Sequence, residues 1–400
     1  MRLDGVQFKK GLKTILCTPF CVHFFLYYNL ATMEPFKNMI NEKVVSQTAK
    51  AIARNYPDFN QKKFLKDIAS ELAPLELKER VILVAMRLKE NLPADQKKSL
   101  KILEGAIQQN DKDTIGLSGF SVWPLTEYVA RFGLDEFDLS MEVLKEMTKV
   151  FTGEWAVRAF FLADEKRTLK FFKKWVKDDN VHVRRLVSEG SRPLLPWGQK
   201  LSSFVKDPSI TWDLLEVLKH DDEEYVRKSV ANHLNDHSKN HPDMVVKKLL
   251  EWQKENAEDK NLNWIIRHAS RTLIKNGHPQ AFKLHGVESG KVKVLSQKIL
   301  TKKVDLGKVL KVEVEFQNLG AKKLKVILDH EVHLLKANNK HNIKCFKGKS
   351  VELLPKEKKK VEFNIPLKPV TTRTYYSGQH FWNIKVNGIS EDKLSFTLKV

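Results

Sequence analysis

Two stretches within residues 151–197 concentrate side chains that could do chemistry. The first is Phe151-Thr152-Gly153-Glu154-Trp155-Ala156-Val157-Arg158. The second runs from Val183 through Arg184, Arg185, Ser188, Glu189, Gly190, Ser191, Arg192 and Pro193 to Leu195-Pro196-Trp197. Together they hold the carboxylates of Glu154 and Glu189, several guanidiniums and two tryptophans. Paired carboxylates beside a basic surface can stabilise a cationic transition state and orient a water. Hydrolysis of a sugar–base bond passes through an oxocarbenium-like ion of that kind. Removing one preorganised electrostatic partner of such a state costs about 2.7–4 kcal/mol. Indole faces add stacking or cation–π contact with a positively charged base.

Each residue also has a plainer reading. Thr152-x-Glu154 fits a helix start, where a first-turn Glu complements the helix dipole. Glu189 is harder to explain that way. It ends a helix that Gly190-Ser191-Arg192-Pro193 breaks, and the dipole disfavours a carboxylate there. A specific reason for it is expected. His233, His237 and His241 recur every four residues, a spacing that can bind zinc on a helix. The general-base Glu of the zinc-protease motif is missing, however, and His241 precedes Pro242, so no metal site is expected. His330 and His333, three apart in an expected strand, point to opposite faces. No phosphate-cradling Gly-rich loop, nucleophile elbow or thiolate pair occurs, and no cofactor is expected.

Helical periodicity must position these residues. From about 36 to 285 apolar residues recur at three- and four-residue steps, as in Val81–Leu88 and Phe137–Phe151. Connections carry Pro, Gly or Asp at Leu92–Asp95, Phe132–Asp135 and Gly277–Pro279. Asp178–Val187, Asp221–Val230 and Asn261–Ser270 resemble one another, and place Arg184, Arg227 and Arg267 about 40 residues apart. A polar turn followed by an aliphatic-Arg pair opening an amphipathic helix, at that period, marks HEAT-like helix pairs that stack into a solenoid. Each repeated Arg lies on one edge of the stack, unless it merely pairs with the Asp of a neighbouring repeat. From about 290 the period becomes two, in Leu310–Phe316, Val361–Ile365 and Leu394–Leu398. Asn318-Leu319-Gly320 and Asn387-Gly388 supply turns. The expected fold is an all-α HEAT-like helical-repeat solenoid followed by an all-β immunoglobulin-like sandwich.

Charge supports a polyanionic partner. The 400 residues carry 70 Lys and Arg against 49 Asp and Glu, a net +21. Residues 291–400 hold 24 basic and 10 acidic side chains, so the excess sits in one basic module. The hydrophobic fraction of 42% excludes a disordered chain. Three cysteines exclude a disulfide scaffold and a four-thiolate zinc site. Cys345 stands alone in the sandwich, which fits a reducing compartment. At the start, basic residues precede an apolar run at 14–32, the outline of a signal or anchor. Pro19, His23 and Asn29 interrupt it, and Met33-Glu34-Pro35-Phe36-Lys37 is an ordinary cytosolic opening. Residues 1–32, with Cys17 and Cys21, are expected to be an upstream extension. The domains expected are then 33–287, helical, and 288–400, the sandwich.

At these residues the chain resembles AlkC-type DNA glycosylases, bacterial DNA alkylation repair enzymes. The resemblance covers nearly everything from Met33 onward. It rests on Val122–Val129, Phe151–Arg158, Val183–Pro193, Leu195–Trp197 and Val230–Asp236. In the sandwich it rests on Lys336–Lys340, Thr371–Arg373, Tyr376–His380 and Val386–Gly388. It implies helical repeats holding DNA in a concave face, and excision of cationic N-alkylated bases, chiefly 3-methyladenine and 3-methylcytosine, without conventional base flipping. Such a base is already a good leaving group and needs no general acid. Glu154 and Glu189 would stabilise the sugar cation and position the attacking water. Trp197 would contact the lesion nucleotide, and Asp236 would belong to the same surface. The extra module would grip DNA beside the lesion. The chain departs from the family pattern at Gly153, Trp155 and Ala159. At Gly153 this would loosen Glu154.

The expected protein is a monomeric cytoplasmic enzyme acting on alkylated double-stranded DNA, with no membrane or obligate protein partner. Arg158, Arg192, Arg267, Arg271 and Arg373 are its candidate DNA contacts, since guanidiniums bind phosphate bidentately. The rival is a non-catalytic, nucleic-acid-binding scaffold in which Glu154 and Glu189 are structural. Burial of these carboxylates against Arg184 or Arg185 would favour that rival, and convergence with Trp197 without an Arg partner would favour catalysis.

Overall fold

The structure, a computed structural model, describes residues 35–108, 116–287, 291–370 and 373–400. The expected extension at 1–32 and the pair Thr371-Thr372 lie outside them. The chain divides into two compact units at residues 240 and 241.

The regular elements described in the first unit are all helices, from Phe36–Met39 to Glu224–His237. The apolar run at Val81–Leu88 lies in the helix Leu77–Asn91, and Phe137–Thr148 forms the helix expected there. The helices that carry the site are Val157–Ala163, Val181–Gly190 and Glu224–His237. The Asn180 side chain caps Val181–Gly190 by accepting from the amides of His182 and Val183. This helix buries Val183, Leu186 and Val187 against Glu224–His237, which buries Val226, Val230, Ala231 and Leu234. Burying such a side chain contributes about 1.5–3 kcal/mol. The repeated Arg has a structural job here. Arg184 pairs with both oxygens of Asp221 in the next repeat, at 2.6 and 3.1 Å, and Arg227 donates to the Asp221 carbonyl at 2.6 Å.

The second unit contains the helices from Pro242–Glu255 to Pro279–Lys283 and two sheets. One sheet has the order β1-β3-β6, formed by Val292–Ile299, Val309–Asn318 and Lys358–Pro366. The other has the order β2-β9-β7-β4-β5, formed by Lys303–Asp305, Leu394–Lys399, Gly378–Val386, Leu324–Leu335 and His341–Leu353, with β8, Ile389–Ser390, on β7. The pairing is antiparallel except between β2 and β9. The alternation expected at Leu310–Phe316 is realised: Leu310, Val312, Val314 and Phe316 enter the core with Val361, Phe363, Ile365, Trp382 and Phe396. His330 faces Phe363 and His333 bonds Asn383 on the opposite face, as the period of two requires.

Asn387 and Gly388 make the tight β7–β8 turn, with φ of 49° and 81°. Gly388 also abuts the helical part of its own unit. A Cβ there would lie 2.6 Å from the Cα of Gly277 and 2.6 Å from the Phe282 ring. We therefore expect Gly388→Ala to destabilise this unit by more than about 1 kcal/mol, read as a lowered denaturation midpoint. An unchanged midpoint would contradict the close approach.

Candidate active site

Glu154 lies in the turn that leads into Val157–Ala163. Its Oε2 accepts from the Thr152 hydroxyl at 2.8 Å and from Arg185 Nη1. Glu189 sits one residue before the end of Val181–Gly190. Its Oε1 receives Arg192 Nη1 at 2.7 Å and Arg185 Nη2 at 3.3 Å, and its Oε2 receives the Ser229 hydroxyl at 2.6 Å. One guanidinium, that of Arg185, therefore bridges the two carboxylates, while it lies over the Tyr225 ring at 5.2 Å. Arg192 continues the chain through Nε to Asp236 Oδ2 at 2.8 Å, and Lys239 pairs with Asp236 Oδ1 at 2.9 Å. These contacts supply the specific reason expected for Glu189. Two guanidiniums offset the unfavourable end of its helix.

All three carboxylates are buried, but their free capacity differs. Both oxygens of Glu189 and of Asp236 are occupied. Glu154 has both its partners on Oε2, leaving Oε1 without one among the described residues. A carboxylate with one oxygen anchored and the other open is oriented and still able to bind a water or face a cation. A Cβ on Gly153 would meet the Thr148 hydroxyl at 2.8 Å, so the missing side chain lets the turn seat closely.

Electrostatics follow from burial and pairing. Burial pushes the Glu189 carboxyl up, but Arg185 and Arg192 outweigh it and hold the group down at about 2. Burial lowers the Arg185 guanidinium, yet Glu154 and Glu189 raise it well above its usual range. Arg192 is raised in the same way, burial opposing and Glu189 and Asp236 prevailing. His233, wholly buried, bonds the Ser188 carbonyl at 2.9 Å, and burial pushes it down to about 3. It and His237 both bond Thr211, at 3.3 Å.

The aromatic side chains form a wall near Glu154. Trp155 stacks on Trp123 at 4.5 Å, and its Nε1 donates to the Pro196 carbonyl at 3.2 Å. The next residue, Trp197, is 47% exposed and has φ of +62°. A bulky side chain in the left-handed region costs about 1–2 kcal/mol, so surrounding contacts must enforce it. Lys78 Nζ donates to the Trp197 carbonyl at 3.3 Å, and Phe36 lies 6.5 Å from the indole.

The structure thus brings Glu154, Glu189 and Asp236 into one chain of ion pairs and joins Trp197 to it through Trp155. Two expected phosphate contacts need correction. Arg158 is fully buried, and its Nε and Nη1 go to the main-chain carbonyls of Gly190, Arg192 and Gln199. Arg192 is spent on Glu189 and Asp236. Neither presents a guanidinium to a phosphate. Arg267 and Arg271 are exposed in the second unit, and Arg271 donates to the His268 carbonyl. Arg373 is half-buried over Tyr375. Of the two arginines expected as partners of the carboxylates, Arg185 is the one that pairs with both, and its four-residue spacing to Glu189 is the signal for it. Ser229, Lys78 and Phe36 carried no local signal.

The family model described as DNA alkylation repair enzyme matches residues 145–273, the span that carries this network. The C-terminal Ig-like domain of the uncharacterised protein YhaZ matches residues 293–400. The whole YhaZ protein of Bacillus subtilis strain 168 is 36% identical over 366 residues, 91% of this chain and 99% of its own length. A Pseudomonas fluorescens alkylpurine DNA glycosylase, AlkC, solved bound to DNA containing an abasic site analog, is 34% identical. It superposes with a TM-score of 0.82 over 92% of this chain and 100% of its own. The chain belongs to the DNA alkylation repair enzyme family. Among family features, the helical-repeat fold and the C-terminal Ig-like domain are both present in it. No described helix is long and apolar enough to cross a membrane.

The buried network should make this chain sensitive to acid. Glu189 and His233 both titrate lower in the folded state than their ordinary values of 4.5 and 6.5. The unfolded chain then binds protons first, so stability is lost as the pH is lowered. It should be level above about 6.5, decline as unfolded His233 protonates, and decline more steeply below about 4.5, where the loss from Glu189 is added. Urea midpoints of the full chain between pH 8 and pH 4 check this, and a midpoint that does not fall would contradict it.

Proposed function

We propose that this chain is a DNA glycosylase that hydrolyses the bond between deoxyribose and a cationic N-alkylated base in duplex DNA. The substrates proposed are 3-methyladenine and 3-methylcytosine. The observation that carries the reading is Glu154, whose Oε2 is fixed by Thr152 and Arg185 while Oε1 is left open. Its support is the likeness, over 92% of the chain, to a protein named as an alkylpurine DNA glycosylase.

The chemistry asks little of an acid. The base carries a positive charge, so when the bond to the sugar breaks, the bonding pair leaves with the base and neutralises it. The charge moves to the sugar as an oxocarbenium-like ion. Glu154 faces that ion through its open oxygen, positions a water for addition at the anomeric carbon, and takes its proton. Glu189 and Asp236 have no free oxygen and act by fixing Arg185 and Arg192. Trp197 stacks beside the lesion nucleotide, which stays within the duplex rather than being extruded into a pocket. The basic Ig-like module, with Arg267, Arg271 and Arg373, contacts phosphates and contributes position and affinity rather than lesion choice.

One observation favours the scaffold reading. Both carboxylates are buried against Arg185, the arrangement expected of a structural ion pair. The open oxygen of Glu154 and the exposed, strained Trp197 are what that reading leaves unexplained. Substitution separates the two. Glu154→Gln should fold normally and release 3-methyladenine at least about tenfold more slowly. Glu189→Gln should also slow release, and it should not leave the fold untouched. Neutralising a carboxylate between two buried guanidiniums costs on the order of 3 kcal/mol. Single-turnover excision and denaturation midpoints of both variants provide the test. Wild-type excision in both would sink the site.

A further inference from the structure

Arg158 is completely buried, and among the described residues no carboxylate lies within ion-pairing distance of it. Its Nη1 donates to the carbonyls of Gly190 at 3.0 Å and Arg192 at 2.8 Å, and its Nε donates to the carbonyl of Gln199. Nη2 has no partner among the described residues. Gly190 ends a helix, and Arg192 and Gln199 bracket the loop that follows. One guanidinium therefore ties the two ends of this loop together. The residue before Gln199 also rests on it. A Cβ on Gly198 would lie 3.1 Å from Arg158 Cδ and 3.2 Å from Nε. Immediately before Gly198 stands Trp197, exposed and in the left-handed region.

The chemistry of this arrangement is that of a clamp. A guanidinium offers several donors in a fixed plane, so it can hold carbonyls from separate segments at once, which a lysine ammonium cannot do with the same geometry. Burying an unpaired charge is unfavourable unless its donors are satisfied. Here three main-chain carbonyls take the Nε and Nη1 donors, and they do so when the loop is closed over the side chain.

We propose that Arg158 is a positioning residue: by holding the Gly190, Arg192 and Gln199 carbonyls it forces the loop to present the Trp197 indole outward. It replaces the reading of Arg158 as a phosphate contact. Its catalytic half, that the presented indole meets the lesion nucleotide, rests on the glycosylase reading above. Its structural half does not.

The test uses the full chain labelled with 5-fluorotryptophan. The eight tryptophans give separate fluorine resonances, and Trp197→Phe assigns the one of interest. In Arg158→Lys the Trp197 resonance should shift or broaden together with that of Trp155, while Trp175, Trp252 and Trp382 stay in place. Single-turnover excision should fall at least about tenfold, and the salt dependence of DNA binding should be unchanged. Gly198→Ala keeps the guanidinium and pushes the loop off it, so it should move the same two resonances. It carries the test if Arg158→Lys does not fold. An unmoved Trp197 resonance in the folded variants overturns the proposal. So does a salt slope lowered by about 0.9 with Trp197 unmoved, the mark of one lost phosphate contact. A moved resonance with wild-type excision overturns the catalytic half. If the wild type releases no base, the glycosylase reading fails, and the fluorine spectra still decide whether Arg158 holds the loop.

Discussion

The site depends on one guanidinium placed between two carboxylates. Arg185 gives one nitrogen to Glu154 and another to Glu189, and so joins the turn before Val157–Ala163 to the end of Val181–Gly190. Remove that fork and Glu154 loses its cationic partner, while Glu189 keeps Arg192. Breaking a buried pair by deleting one partner costs about 3–5 kcal/mol, so the network resists partial change. Arg192 extends the same logic to Asp236 in the following repeat. The ion pairs make the three helices one electrostatic unit. Within that unit the negative charge is largely neutralised, and what remains available is local: the open oxygen of Glu154.

A second guanidinium works on the main chain. Arg158 lies one turn beyond Glu154 and reaches across to the loop after Gly190. The two arginines thus divide the labour, one fixing carboxylates and the other fixing the loop that bears Trp197. The Trp155 indole links the two systems, because it follows Glu154 in sequence and bonds the carbonyl before Trp197. In this arrangement, the carboxylate and the loop that bears the exposed indole are each held by a buried guanidinium.

Much of this was legible in the residues. The strict alternation of Leu310–Phe316 is a two-faced strand, and it became the centre of the β1-β3-β6 sheet. The repeated Arg was legible both as a marker of helix pairs and as a partner for Asp221. Glu189 stood out because a carboxylate opposes the dipole at a helix end, and its two arginines lie within four residues. Arg158 was not legible. A basic residue after an aromatic stretch looks like a surface contact, and its burial depends on a loop 32–41 residues away closing over it. The conformation of Trp197 was hidden for the same reason, since nothing in tryptophan itself favours positive φ. The change of period near 290 also concealed a tertiary fact. The helices from Pro242 to Lys283 pack with the sandwich, where Lys385 bonds the Lys275 carbonyl at 3.1 Å and Gly277 abuts Gly388.

The most direct measurement is the release of free base from methylated duplex DNA by the full chain and by Arg185→Lys, resolved by chromatography under single-turnover conditions. A lysine keeps the charge but cannot span both carboxylates with a fork. The account predicts that the wild type releases 3-methyladenine and 3-methylcytosine, and that Arg185→Lys releases them at least about tenfold more slowly. Salt-sensitive DNA binding by the wild type with no base released would contradict it and leave a binding scaffold in its place.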